Sequence, residues 1–305
     1  MIDWYRKELQ SYKNTSVLVT GGSGFFGNRL ISILEDLNAD VVSTTRSHTL
    51  SKNKQSIQVD LTDLEESKSL LQSHQYEIIF HLSGWVSSNK NFEHVRTAYN
   101  NNLLSTLNLL ENSVRYSPGS KMVIPGSELE DSHIITPYSV SKNASSMYVD
   151  LFKNHYNANI TSLKICLTYG PTQNQESLVP HIIKSFLQSD DLLTLNLNRE
   201  CDALYIDDVV NALLLSGLSK HTPNTIHIGS GQHLTVKNIS DNILNLMGKN
   251  TALIKYIEDI TNISDLNNVK DINPALEYIN WAPSWNLSSG LTETINWFTQ
   301  KMNTR

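Results

Sequence analysis

An α/β fold with a doubly wound parallel sheet is what the sequence predicts, and three observations carry that expectation. Short apolar runs rich in β-branched residues alternate with segments of helical periodicity from residue 16 to about residue 170. The runs are continuously apolar rather than alternating, as expected of strands covered on both faces. Four of the chain's 13 glycines fall between residues 21 and 27, at the first junction between a strand and a helix.

Each element follows from its pattern. "SVLVT" (16–20) reads as the first strand. "NRLISILEDLN" (28–38) reads as a helix with Leu30, Ile31, Leu34 and Leu37 on one side. Strands are expected at "ADVVSTT" (39–45), "SIQVDLTD" (56–63), "YEIIFHLSG" (76–84), "KMVIPGS" (121–127) and "NITSLKICLTYG" (159–170). Helices are expected at "SKSLLQSH" (67–74), "NNLLSTLNLLENSV" (101–114) and "PYSVSKNASSMYVDLFKNHY" (137–156). Thr136 and Pro137 suit the N-cap and first position of the last of these. Past residue 170 the rhythm loosens. "YIDDVVNALLLSGL" is a further helix, "NTIHIGSG" a late strand, and the tail holds short helices around "INWAPSWNLSSG". The amphipathic start, with Trp4, Tyr5, Leu9 and Tyr12, reads as a packing or interface helix. The expected organisation is a nucleotide-binding lobe over residues 1–170, with later contributions from about 204–229. A smaller, partly interleaved lobe over residues 171–305 would bind substrate.

Bulk properties exclude several classes. The chain has 305 residues, 39% hydrophobic and 18% charged, enough to close a core. A net charge of −6 with mixed signs argues against a nucleic-acid surface. Two distant cysteines, Cys166 and Cys201, give neither a disulfide framework nor metal spacing. No run approaches the length of a membrane span, and the charged start is unlike a signal peptide. Cytoplasmic location, no membrane, no nucleic acid and no metal are therefore the expectations.

The glycine stretch, Gly21, Gly22, Gly24 and Gly27 around Ser23, Phe25 and Phe26, sits between strand and helix. Glycine permits the tight turn and the close approach of backbone to phosphate, and the helix N-terminus offers free N–H groups to a pyrophosphate. A carboxylate at the end of the second strand would bind a ribose 2′-hydroxyl. This chain has Thr44, Thr45 and Arg46 instead, and an arginine pairs with a 2′-phosphate. NADP is the expected cofactor, ahead of NAD. Asp60 and Leu61 end a strand near where an adenine would lie.

Tyr138 and Lys142 are four residues apart at the start of a helix, so both project from one face. The spacing alone is near chance. Its place matters more, because the preceding strand ends in Ser127, whose hydroxyl would bond the same oxygen. A free tyrosine with a pKa of about 10 is a poor base at neutral pH. A nearby ammonium and a positive nicotinamide ring would favour the phenolate and allow proton exchange coupled to hydride transfer.

With these residues in place, the chain resembles the extended short-chain dehydrogenase/reductases that act on nucleotide-activated sugars. The resemblance runs through "TGGSGFFG" (20–27), "VDLTD" (59–63), "HLSG" (81–84), "NLLSTLNLL" (102–110), "PYSVSK" (137–142), "LTYGP" (167–171), "YIDDVVNA" (205–212), "HIGSGQ" (227–232) and "INWAP" (279–283). It implies a Rossmann-type sheet, Tyr138 as general acid/base, Lys142 on the nicotinamide ribose and Ser127 orienting the substrate oxygen. It further implies cofactor contacts at Gly21, Ser23, Gly24, Phe25, Phe26, Gly27, Arg46, Asp60, Leu61, Leu82, Ser83, Tyr138 and Lys142, and a structural role for Asn102. Substrate contacts are implied at Trp85, Ser87 and Thr168, and a homodimer through the helices that begin near 94 and 137.

The chain also departs from the pattern. Family dehydratases carry Asp-Glu after the Ser or Thr; here Glu128 is followed by Leu129, which disfavours dehydration. Glu130 and Asp131 replace Tyr-Gly and read as loop surface. Cys201-Asp202-Ala203 stands where an Arg-Asp-Phe is usual, and Arg199 either replaces that arginine or is a surface charge. Lys164 stands where arginine is common. The expected function is NADPH-dependent reduction of a 4-keto-6-deoxy nucleotide sugar. Epimerisation with tightly held NAD(P) is the first alternative, and a non-catalytic NADP-sensing protein the second.

Overall fold

The computed structural model describes residues 2–4, 6–46, 55–87, 89–131, 135–196, 200–257 and 270–303. In chain order the first half contains β1 (Ser16–Thr20), α1 (Phe25–Asp36), β2 (Asp40–Thr45), β3 (Ser56–Gln58), α2 (Leu64–Ser73), β4 (Ile78–His81), α3 (His94–Ala98), α4 (Ser105–Tyr116), β5 (Lys121–Ser127) and α5 (Pro137–His155). The second half contains β6 (Ile160–Ile165), β7 (Leu167–Tyr169), α6 (Leu178–Gln188), β8 (Leu193–Asn196), β9 (Glu200–Cys201), β10 (Ala203–Tyr205), α7 (Ile206–Leu218), β11 (Thr225–Ile228), β12 (Leu234–Thr235), α8 (Val236–Leu246), β13 (Ile254–Ile257), α9 (Asn273–Ile279) and α10 (Leu287–Asn303).

Seven strands form one parallel sheet in the order β3-β2-β1-β4-β5-β6-β11. Strand order reverses at β1, which lies between β2 and β4. That is where a doubly wound sheet opens a crevice at its carboxyl edge. The pleat explains why the strands read as unbroken apolar runs. Val17, Val19, Ile78, Phe80 and Val123 join the core beneath α1 and α7. Leu18, Ile79, Met122 and Ile124 join a second core beneath α2, α4 and α5. Both faces are covered, so both sets of side chains are apolar.

Local chemistry sets the element ends that matter for the site. α1 stops where Asn38 adopts a left-handed φ of 57° and Ala39 N–H returns to Leu34 O at 3.0 Å. α5 starts at a reciprocal cap: Thr136 Oγ1 accepts Ser139 N–H at 3.0 Å, and Ser139 Oγ accepts Thr136 N–H at 2.9 Å. Asp208, buried in the first turn of α7, accepts Ser284 N–H and hydroxyl at 2.9 Å and Trp285 N–H at 3.0 Å. It thereby ties the tail to the sheet. At the other end of the chain, the amphipathic start docks rather than extends: Leu9 and Tyr12 are fully buried, and the Tyr12 hydroxyl donates to Leu214 O at 2.7 Å.

Three expected elements differ in extent. The strand expected over 56–63 is three residues, all exposed, on the sheet edge. The helix expected from 101 begins earlier: α3, a π-helical turn at Tyr99–Leu104 and α4 run on continuously. The run 159–170 is two strands. Cys166 N–H bonds Ile228 O at 3.0 Å, still with the main sheet, and Leu167 N–H then bonds Asp202 O at 3.1 Å. β7 thus leaves the main sheet to pair with β10. Nothing in an apolar run marks where a strand changes partner.

Candidate active site

The glycine turn sits at the β1/β4 switch point. Gly21 has φ +69°, and a Cβ there would meet Ser83 N at 2.7 Å. The turn therefore lies directly against the chain leaving β4. A Cβ on Gly24 would meet only Gly21 O within 4 Å, which leaves its outer side open. The open side faces a cavity of about 250 Å³. Gly21, Ser23, Gly24, Arg46, Asp60, Leu61, Leu82 and Ser83 line that cavity, together with Thr44, Thr45 and Asn101. Eight residues expected from sequence to touch a cofactor thus share one cleft.

Phe25 and Phe26 are placed differently. Their rings stack on each other, centroids 5.4 Å apart, and pack against the core. What they offer to the cleft is backbone, since the first N–H groups of a helix have no acceptor one turn back. Gly27 is buried beneath the turn. Arg46 is exposed at the mouth and its guanidinium donates to the Asn101 side-chain oxygen. Asp60 accepts Thr62 N–H and hydroxyl at 2.9 and 2.8 Å, which fixes the turn after β3. An exposed glycine turn, a helix start and a cation at one rim fit the pyrophosphate and ribose of a nicotinamide dinucleotide.

The second part of the site lies where β5 ends and α5 begins. Ser127 is the last residue of β5 and is 7% exposed. Its Oγ accepts Leu129 N–H at 3.2 Å, and its hydroxyl favours the Tyr138 phenolate. Tyr138 lies in the first turn of α5 because of the Thr136–Pro137 start, and Lys142 follows one turn later. The Lys142 ammonium donates to Pro125 O at 2.6 Å. Burial pushes the phenol up to about 12; the Ser127 hydroxyl opposes this, and the Glu130 and Glu128 charges add to it. Burial also lowers Lys142, against the pull of Glu130. The sequence argument expects a depressed phenol pKa. In the protein by itself desolvation wins, and Lys142 is directed at a carbonyl of β5.

Asn102 holds this junction together. Its side chain accepts Trp85 N–H at 2.7 Å and donates to Trp85 O and Ser141 Oγ, both at 2.9 Å. Beneath it, His81 bridges Thr20 Oγ1 at 2.8 Å and Thr106 Oγ1 at 3.0 Å. Burial, with Lys142 nearby, pushes His81 down to about 3, so the ring is neutral and spans two hydroxyls.

Glu130 is a correction. Sequence reasoning places it on the loop surface, yet it is 7% exposed. Its carboxylate accepts Ser127 N–H at 2.7 Å and the Ser146 hydroxyl at 2.7 Å. Lys164 lies 3.7 Å from Glu130 and 2.6 Å from Asp131. A run of three acids reads as solvated; a 3-10 turn at Glu128–Asp131 rolls the middle side chains inward instead. No sequence signal marks that roll.

The expected substrate residues spread more widely. Trp85 is half-buried with its ring edge-on to His94, centroids 5.0 Å apart. Ser87 Oγ accepts Asn89 N–H at 3.1 Å. Thr168 is buried and donates to Cys166 O at 3.2 Å. Arg199 lies outside the described residues. Cys201, where an arginine was expected, is buried on β9. It lines a small cavity of about 20 Å³ that Glu128, Lys164, Cys166, His227, His233 and Lys270 share. His227 and His233 escaped the sequence reading, because isolated histidines carry no spacing signal. Among the described residues no cluster of three or more His, Cys, Asp or Glu is arranged for a metal, and no helix is long and apolar enough to cross a membrane.

The chain is similar to several known proteins. The family model described as "NAD dependent epimerase/dehydratase family" matches residues 17–229. A putative UDP-glucose 4-epimerase from Methanocaldococcus jannaschii is 22% identical, over 92% of this chain and 97% of its own length. The UDP-glucose 4-epimerase of Thermotoga maritima, solved with UDP-glucose, superposes with a TM-score of 0.84 at 24% identity, covering 94% of this chain and 99% of that one. A dTDP-glucose 4,6-dehydratase from Bacillus anthracis, solved with NAD, gives 0.80 at 20% identity, covering 95% and 98%.

Proposed function

The chain belongs to the NAD dependent epimerase/dehydratase family, and from that premise we propose that it moves a hydride and a proton at a carbonyl or hydroxyl carbon of a nucleotide-activated sugar. The observation that carries the reading is the junction itself: Ser127 ends β5, and Tyr138 and Lys142 lie one turn apart at the start of α5, with the Lys142 ammonium bonded to Pro125 O of β5. A nicotinamide dinucleotide held along the glycine turn supplies one chemistry, the gain or loss of a hydride. The chain's own residues do the rest. Tyr138 Oη carries a proton and delivers it to the sugar oxygen, and Ser127 Oγ–H holds that same oxygen in place. The Lys142 ammonium stabilises the phenolate left behind.

Two features favour reduction of a 4-keto-6-deoxy sugar. β2 ends in Thr44 and Thr45 followed by Arg46, with no carboxylate. Leu129 leaves no second carboxylate beside Glu128 to take a carbon-bound proton, which disfavours dehydration. Epimerisation is the second reading, supported by end-to-end similarity to a protein named as an epimerase. The intact Ser127, Tyr138 and Lys142 speak against a purely cofactor-sensing protein. Purified protein incubated with a panel of sugar nucleotides separates these readings. Oxidation of added NADPH by a 4-keto sugar supports reduction. Interconversion of epimers by protein that carries its own NAD, with none added, overturns it.

NADP is the proposed cofactor because Arg46 stands at the rim of the cleft after a β2 end that carries no carboxylate. Arg46→Ala is expected to weaken NADP binding by about 10–100-fold, the worth of a charge-assisted hydrogen bond to phosphate. NAD binding should be unchanged within about twofold. Equal losses for both dinucleotides, measured by calorimetry, would assign Arg46 no role at a 2′-phosphate.

A homodimer is proposed through α3 and α5. Val95 and Tyr99 on one helix, and Val140, Met147, Tyr148 and Leu151 on the other, are exposed large apolar side chains. Exposed apolar side chains clustered along two helices favour a partner surface. Met147→Glu is expected to move the protein from dimer to monomer in light scattering at micromolar concentration. A wild type that is already monomeric there refutes the assignment.

A further inference from the structure

We propose that Glu130 is a positioning residue of the proton-transfer site. Its buried carboxylate clamps the end of β5 against α5 beside Tyr138, and its negative charge favours the ammonium form of Lys142. The inference rests on the proton-handling reading of Ser127, Tyr138 and Lys142 given above.

The geometry separates two jobs. The clamp is the pair of hydrogen bonds from Ser127 N–H and the Ser146 hydroxyl, both 2.7 Å, which joins β5 to α5. A neutral carboxamide would satisfy both, accepting from Ser127 and donating to Ser146. The charge therefore needs its own explanation, since an ionised carboxylate is costly to bury without a cationic partner. Lys164 on β6 is 3.7 Å away, yet it already has Asp131 at 2.6 Å. Lys142 is different: its hydrogen bond goes to a neutral carbonyl, Pro125 O. Glu130 is the carboxylate whose charge acts on Lys142, and it acts on Tyr138 as well. The surrounding ionisable groups are Lys142 on α5, Lys164 on β6, His227 on β11, and Glu128 and Asp131 beside Glu130 in the chain.

Glu130→Gln keeps the clamp and removes the charge. Without it, both the Tyr138 phenol and the Lys142 ammonium give up their protons at lower pH. Any limb of the kcat/KM profile set by either group is therefore expected to move down by about one pH unit. A purely structural glutamate predicts no such movement. A second readout needs no substrate: ¹³C NMR of tyrosine-labelled protein, with Tyr138 assigned through Tyr138→Phe. For a fall from about 12 to about 11, the tyrosinate fraction at pH 10.5 rises from a few per cent to about a quarter. If no sugar nucleotide is turned over by wild type, the functional reading fails and the NMR arm still decides this one. A folded Glu130→Gln protein with an unmoved limb and an unmoved tyrosinate fraction overturns the proposal. Should that variant not fold, Glu130→Asp decides. It keeps the charge and shortens the clamp, so kcat should fall with the limb in place, and a limb shifted down by a full unit overturns the proposal.

Discussion

Tyr138→Phe should lower kcat by about 10²–10⁴-fold, the usual contribution of a positioned general acid, while leaving dinucleotide affinity within about threefold. The substitution removes one oxygen. The ring keeps its place in the first turn of α5, because Pro137 and the reciprocal Thr136–Ser139 cap fix that turn without the hydroxyl. Ser127 keeps its acceptor role towards Leu129 N–H. The loss should therefore fall on turnover rather than on folding or on the cleft at the glycine turn. Steady-state kinetics on the substrate found by the panel, with calorimetric titration of the dinucleotide, makes the measurement. Retention of more than half the activity would remove Tyr138 from the proton path and with it the mechanism proposed above.

Gly27→Val should be the most disruptive change around the glycine turn. Gly27 lies in the first turn of α1 and is pressed against the turn before it. A Cβ there would sit 2.3 Å from Gly21 O and 2.9 Å from Gly22 Cα. Those neighbours are backbone and have no rotamer in which to escape. α1 would have to lift off the turn, and the Gly21–Gly24 backbone would move with it. Overpacking of this kind costs about 3 kcal/mol. For a chain of this length that corresponds to a fall in Tm of about 5 °C. The same displacement misaligns the helix start, so dinucleotide affinity should fall by about tenfold or more. Thermal unfolding and calorimetry report the two effects separately. A variant with wild-type Tm and affinity would show that the helix and the turn are not packed as described.

Much of the cleft proposed for the dinucleotide was legible in the chain because it is built from local chemistry. Glycine spacing, a strand before and a helix after specify one turn, and that turn places Gly21, Ser23 and Gly24 at the sheet's switch point. Arg46, Asp60, Leu82 and Ser83 end or follow strands that neighbour β1 or lie beyond β2, so knowing the strands locates them too. Phe25 and Phe26 show the limit of such reasoning. The motif puts them at the helix start, but not which way their rings point, and packing stacks the rings on each other and against the core.

The sequence by itself determined the alternation of strands and helices, the glycine turn, and the spacing that sets Tyr138 and Lys142 on one face of α5. These depend on residues within a few positions of one another, where periodicity, capping and turn preferences act. The tertiary structure decided what those residues face. It split the run around Cys166 between two sheets, because strand pairing depends on distant partners. It set the Tyr138 phenol where burial raises its pKa in the chain without a cofactor, because burial is a property of everything packed around the ring. It drew Glu130 out of an acidic loop and set it between Ser127, Ser146 and Lys164. Electrostatic character follows from three-dimensional neighbours, and the order of residues along the chain does not contain them in readable form.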